Sequence, residues 1–175
     1  MKTVSRIRIK PGLVVKNGAT ISQASIPELY SEICGDYPKF FKMDNLCKLG
    51  FLGAEILLKD FSDDQKENMA VILFNKNGSL ITDRNYQSTI QREEYFPSPA
   101  IFVYTLANIV TGEIAIRHKI YGETSFYIMS EYNEKEMDAI VESVFLTSSP
   151  EKILTGWVDF ENSEDYLAEM KVLTK

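Results

Sequence analysis

Few side chains in this sequence are of types that do covalent chemistry, and their spacing limits what they could do. The single histidine, His118, follows Arg117 on a helical stretch. A histidine base needs a nucleophile and an orienting acid converging on it. One histidine among many serines and acids singles out no such set, so His118 reads as a surface or helix-terminal residue. The two cysteines, Cys34 and Cys47, fall on different candidate helices without metal-ligand spacing. Cys47 sits among Leu46, Leu49, Gly50 and Phe51, an apolar setting that raises a thiol's pKa and makes it inert. Both cysteines fit buried free thiols in a reducing cytoplasm better than a disulfide. Asp63-Asp64 and Glu93-Glu94 are adjacent acids in polar stretches, and neighbours in sequence do not converge on a helix face. They read as solvated charge. The sequence has no Gly-rich phosphate loop, metal-ligand cluster or basic-aromatic stripe, so no cofactor and no metal is expected.

The elements that must position any site belong to a chain of 175 residues, the size of one domain spanning 1–175. With 45% hydrophobic and 25% charged residues it has the composition of a globular protein with a real core. A net charge of −6 argues against nucleic acid or an anionic membrane as the main partner, since both reward basic surfaces. The N-terminus lacks the apolar segment of a signal peptide. No apolar run approaches the roughly 20 residues needed to span a bilayer. A cytoplasmic protein without a membrane span is expected.

Residues 4–16 read as extended, and Asn17-Gly18 signals a tight turn because both residues tolerate positive φ. Ser25 with Glu28, and Pro27 between them, forms a capping box for a short helix ending at Gly35. Residues 43–59 form a helix in which only Lys48 and Glu55 are charged from Leu46 onward, so it should be deeply buried. Gly50 and Gly53 within it imply close approach of a neighbouring backbone. Asp60 to Asn68 reads as a polar linker, and Met69–Phe74 as a central strand buried on both faces. Residues 82–94 read as polar helix or loop. Residues 100–120 are helical, as two helices broken near Thr111-Gly112, and 124–129 form a strand. Asn133 and Glu136 cap a helix whose apolar face is Met137, Ile140, Val141, Val144 and Phe145. Residues 152–160 form another strand, with a last one over 165–174 turning back beside it. The order predicts a layered α/β domain with mainly parallel strands and an antiparallel edge.

One stretch carries a family signature. Ser98, Pro99, Phe102, Thr105, Leu106, Asn108 and Gly112 stand at spacings that resemble the N-terminal half of β-ketoacyl synthases, members of the thiolase-like fold. Ala107 replaces the usual histidine. Gly122-Glu-Thr-Ser and Ile153-Leu-Thr-Gly156-Trp-Val-Asp159 resemble two further family segments, so the resemblance runs in order over roughly residues 40–160. The reading without ancestry is a helix packed by Phe102, Leu106 and Ile109. The resemblance implies one half of a two-half fold, with a five-stranded mixed sheet of order 3-2-1-4-5 and the last strand antiparallel. Its strands would be residues 4–10, 69–74, 124–129, 152–160 and 166–173.

The family's nucleophile is a cysteine just beyond the third strand, at a helix N-terminus whose amides favour a thiolate. Here the chain reads Met129-Ser130-Glu131-Tyr132, with Glu131 nearest the cysteine position. A carboxylate there cannot easily form the acyl intermediate, and Ser130 would need an activating base. The family's further His or Asn residues from the second half are absent. The resemblance therefore implies a catalytically silent ketosynthase-like protein that pairs with itself or with an active ketosynthase. Its setting would be fatty-acid, polyketide or aryl-polyene biosynthesis. Pairing would run along the third strand, at Thr124, Phe126 and Ile128, an exposed apolar edge being a liability unless paired. The alternative is an enzyme: a split or degenerate 3-oxoacyl-[acyl carrier protein] synthase, or a malonyl decarboxylase using Glu131. A further extension is docking of acyl carrier protein, for which Arg117, His118 and Lys119 offer a local basic patch.

Overall fold

The polypeptide is described here by a computed structural model covering residues 1–90 and 95–175. Among these, seven strands form one mixed sheet: β1 (Lys2–Lys10), β2 (Leu13–Lys16), β3 (Ala19–Ser22), β4 (Ala70–Asn75), β5 (Thr124–Ile128), β6 (Lys152–Asn162) and β7 (Asp165–Thr174). Their order across the sheet is β3-β2-β1-β7-β6-β4-β5. The pairs β4–β5 and β4–β6 are parallel, and β6–β7, β7–β1, β1–β2 and β2–β3 are antiparallel.

The expected α/β class and antiparallel β7 hold, whereas the five-stranded 3-2-1-4-5 order does not. Two short strands add a hairpin at one edge. Its turns form where Gly12 takes φ +67 and Asn17-Gly18 take φ 52 and 88. The larger difference is β1, which lies outside β7 instead of between β4 and β6. The reason is its alternation: Ser5, Ile7 and Ile9 are buried while Arg6, Arg8 and Lys10 are exposed. Both faces of β4 are covered, and all six of its residues are buried. A strand carrying three cations on one face cannot be placed there, but it fits where one face stays open.

One face of the sheet is covered by α1 (Ile26–Ile33), α2 (Asn45–Leu58) and α6 (Ile109–His118), and the other by α7 (Glu134–Thr147). The Ser25–Glu28 box forms, with the Ser25 amide donating to Glu28 Oε2 at 2.8 Å. Asp44 caps α2 by accepting from the Cys47 amide at 2.8 Å. This helix is buried nearly all round, as its composition demands. What Gly50 and Gly53 admit is not a backbone but side chains: a Cβ at either would run into Val110 or Met170 respectively. The 60–68 linker contains a short helix, α3 (Asp63–Glu67). Asn133 accepts from the Glu136 amide at 3.2 Å, and α7 buries Met137, Val141, Val144 and Phe145 as patterned, with Ile140 half-buried.

Helix α4 (Leu80–Gln87) occupies part of the polar 82–94 stretch, whose end lies outside the described residues along with the Glu93-Glu94 pair. The signature segment forms α5 (Pro99–Phe102) and a 3-10 turn (Val103–Thr105), and α6 starts only at Ile109. The break thus falls at Leu106–Asn108 and not at Thr111-Gly112. Leu106 is extended, and the Thr111 hydroxyl donates back to the Asn108 carbonyl at 2.8 Å, holding the first turn of α6 together. Among the described residues no single helix is long and apolar enough to cross a membrane.

Candidate functional site

In a parallel sheet the strand C-termini are where loops converge and ligands or reactants are held. Here that rim joins the ends of β5, β4 and β6. After β4 the chain closes on itself: Asn75 Nδ2 donates to the Gly78 carbonyl and Asn75 Oδ1 accepts from the Gly78 amide, both at 2.9 Å. Asp159 at the end of β6 accepts from Asn77 Nδ2 at 3.1 Å and from the Asn77 amide at 3.3 Å. Burial pushes the Asp159 carboxyl above its ordinary pKa, with hydrogen bonds from the 76–77 backbone working against it. The Met129 amide donates to the Asn75 carbonyl at 2.8 Å, tying the exit of β5 to the same turn.

Ser130 and Glu131 lie on this exit loop, both exposed, before the Asn133 cap of α7. Neither side chain has a hydrogen-bond partner among the described residues. Tyr132 turns across the sheet onto Trp157, edge to face at 5.6 Å. His118 is on α6, on the opposite face of the sheet from α7, so it is not a base for Ser130. Cys47 is buried, and burial, with Asp44 next to it, raises its thiol well above the ordinary value. Cys34 is half-exposed at the C-terminal end of α1, contrary to the expected buried thiol, because the helix stops there before Gly35 turns at φ +73. Partial burial raises its pKa to about 11. The rim holds no nucleophile–base pair among the described residues.

The signature residues do structural work in the corner before α6. Ser98 Oγ accepts from the Ile101 amide at 3.3 Å, Pro99 opens α5, and the Thr105 hydroxyl donates to the Phe102 carbonyl at 2.7 Å. Asn108 stands at the start of α6 without a side-chain cap bond, its carbonyl accepting from the Thr111 amide at 3.1 Å, and Gly112 lies within the helix facing open space. Phe102 and Leu106 do not pack a helix core: both are exposed, and Tyr104 and Val110 are buried instead. Two other matched glycines have a steric cause. A Cβ on Gly122 would meet the Met69 carbonyl, and Gly156, at φ +154, presses its Cα face against the main chain of Glu169 and Met170.

A charged cluster that sequence reasoning missed joins α2 to α6. Glu55 accepts from Arg117 Nε at 2.9 Å, and His118 Nε2 lies 3.1 Å from the same oxygen, close but poorly aligned for a hydrogen bond. Burial pushes the Glu55 carboxyl up, but His118 and Arg117 outweigh it and hold the pKa at about 2. Arg117 also stacks 4.9 Å over the Tyr37 ring, and Lys119 pairs with Asp63 at 3.1 Å. The run 117–119 is therefore internally neutralised and is not a free basic patch. Asp63 is paired with Lys66 and Lys119, while the cluster's signal in sequence was Glu55, the sole acid of an apolar helix.

Strand β5 is at the end of the sheet, paired on one side only, to β4. Of the expected edge residues Thr124 and Ile128 are exposed, while Phe126 is half-buried against the main core; Tyr127, on the other face, is also exposed.

The mixed sheet with helices on both faces is a layered α/β fold, and solved ketosynthase-type structures share it. Two solved structures show the same architecture over 99% of this chain. One is a chain from the complex between the ketosynthase ApeO and its chain length factor ApeC of Xenorhabdus doucetiae, with a TM-score of 0.68, 13% identity and 78% of that chain covered. The other is the ishigamide ketosynthase/chain length factor, with a TM-score of 0.73, 13% identity and 61% of that chain covered. No protein-family model matches the sequence, and no curated protein matches it. At the tip of β5 the chain has Ser130 and Glu131, with no cysteine there.

Proposed function

We propose that this protein is a catalytically silent, ketosynthase-like cytoplasmic subunit that pairs with an active ketosynthase, or with a second copy of itself, in fatty-acid, polyketide or aryl-polyene biosynthesis. The observation that carries the reading is the one-sided pairing of β5. An unpaired strand edge presents a row of free amides and carbonyls, and Ile128, 65% exposed, stands on it. Further exposed apolar side chains lie on the neighbouring segments. Ile128 lies against Gly78, and the Ser79 hydroxyl donates to the Thr105 carbonyl beside exposed Phe102, Val103 and Leu106. A second β5 or its equivalent would complete the ladder while covering these residues.

That the rim holds no nucleophile–base pair among the described residues favours an accessory role over an enzymatic one. Among the described residues Ser130 has no activating base beside it, and Glu131 is exposed to solvent. The neighbours bear names of complexes between a ketosynthase and a chain length factor, which agrees with a paired arrangement. The test is the solution mass of the chain alone and after co-expression with an active ketosynthase. A strictly monomeric chain that forms no complex would overturn the reading.

A further inference from the structure

We infer that the cleft between the first turn of α1, the start of α2 and the β6–β7 hairpin is a binding site for a small amphiphilic carboxylate. The cleft has a volume of about 310 Å³, within the size range of small-ligand pockets, about 300–1,000 Å³. Its walls are Ile26, Pro27, Phe40, Phe41, Phe160 and Tyr166. Phe40 is fixed by stacking on Tyr30 at 4.2 Å, and Phe160 by stacking on Tyr166 at 5.8 Å. Phe41 forms the rim, 67% exposed, a large apolar side chain left in water. Such walls gain from covering by an apolar body, and aromatic faces favour flat or extended ones.

The choice of a carboxylate comes from Lys48. It is the one charged side chain among the described lining residues, and it forms no ion pair among the described residues. Its Nζ lies 5.9 Å from the Phe40 ring centroid, at the apolar wall itself. No acid lines the cleft, so a cationic ligand finds no partner on its walls, whereas an anion meets an unpaired ammonium with Asn45 as a polar neighbour, the Ser25 hydroxyl being donated to Glu28. The apolar wall raises the strength of that pairing by keeping water off one side.

Isothermal titration with octanoate, trans-cinnamate and octanol tests the site. Both acids are expected to bind with dissociation constants below about 1 mM, and octanol at least about tenfold more weakly, the worth of one charge-assisted hydrogen bond. Lys48→Gln should weaken octanoate at least about tenfold and leave octanol unchanged, with far-UV circular dichroism confirming the fold. Phe41→Ser, at an exposed position, should weaken all three. Lys42→Gln removes an equal charge from the wall of the neighbouring cavity and should change octanoate binding less than about twofold. The inference is overturned by absence of binding of both acids, by octanol binding as tightly as octanoate, or by Lys42→Gln matching the effect of Lys48→Gln.

Discussion

Acid should unfold this protein in a way that depends on Glu55. The carboxylate is nearly buried, with 11% of its side chain exposed, between Arg117 and His118. Its pKa falls from 4.5 in the unfolded chain to about 2 in the fold. A group whose folded pKa is depressed contributes stability that is complete above the unfolded value and disappears as pH falls through the folded one. The interval corresponds to about 3 kcal/mol at neutral pH. That agrees with the cost of breaking a buried ion pair, about 3–5 kcal/mol. Glu55→Gln should therefore lower stability by about 3 kcal/mol at pH 7. The gap between wild type and variant should narrow between pH 4.5 and 2 and close below it. Urea unfolding followed by circular dichroism at pH 7, 4.5, 3 and 2 measures it. A gap that stays constant with pH, or a variant as stable as wild type at pH 7, would show that the cluster does not hold α2 to α6 as argued.

Gly122→Ala should destabilise the protein by several kcal/mol in thermal melts, because its Cβ would meet the Met69 carbonyl, which belongs to the backbone entering β4 and cannot yield cheaply. Gly112→Ala, in open space within α6, should instead stabilise by about 1 kcal/mol, the helix propensity gained. Ser130→Ala and Glu131→Ala should each change stability by less than about 0.5 kcal/mol. They should also leave turnover of a reconstituted ketosynthase system unchanged; loss of turnover would restore the enzymatic alternative.

Much of this architecture was legible because one physical signal ruled each element. The unbroken apolar run of β4 allows only a position covered on both faces, and the α2 composition allows only burial. The capping residues Ser25 and Asn133 announced two helix starts, while the Asp44 cap of α2 emerged only in the structure. What misled were places where two signals competed. Gly112 looks like a helix breaker, yet Leu106 ends the preceding turn and Thr111 secures the next. The placement of β1 was borrowed from the resemblance although its own alternation of Arg6, Arg8 and Lys10 with Ser5, Ile7 and Ile9 demanded a half-open position. The tip of β5 was legible as a place without a thiol. The Glu55–Arg117–His118 cluster was not, because its members are 62 residues apart and meet only when α2 packs on α6.

The central claim is that β5 is an edge completed by another subunit. Ile128 is exposed in the single chain, so Ile128→Asp should leave its melting temperature nearly unchanged. In an interface the same change would forfeit about 1.5–3 kcal/mol of side-chain burial and force a charge into an apolar contact, enough to abolish pairing. Light-scattering mass of the chain co-expressed with an active ketosynthase decides the matter. The account predicts a two-subunit complex that Ile128→Asp separates into folded single chains; a wild-type chain that stays alone, or a complex indifferent to the substitution, would contradict it.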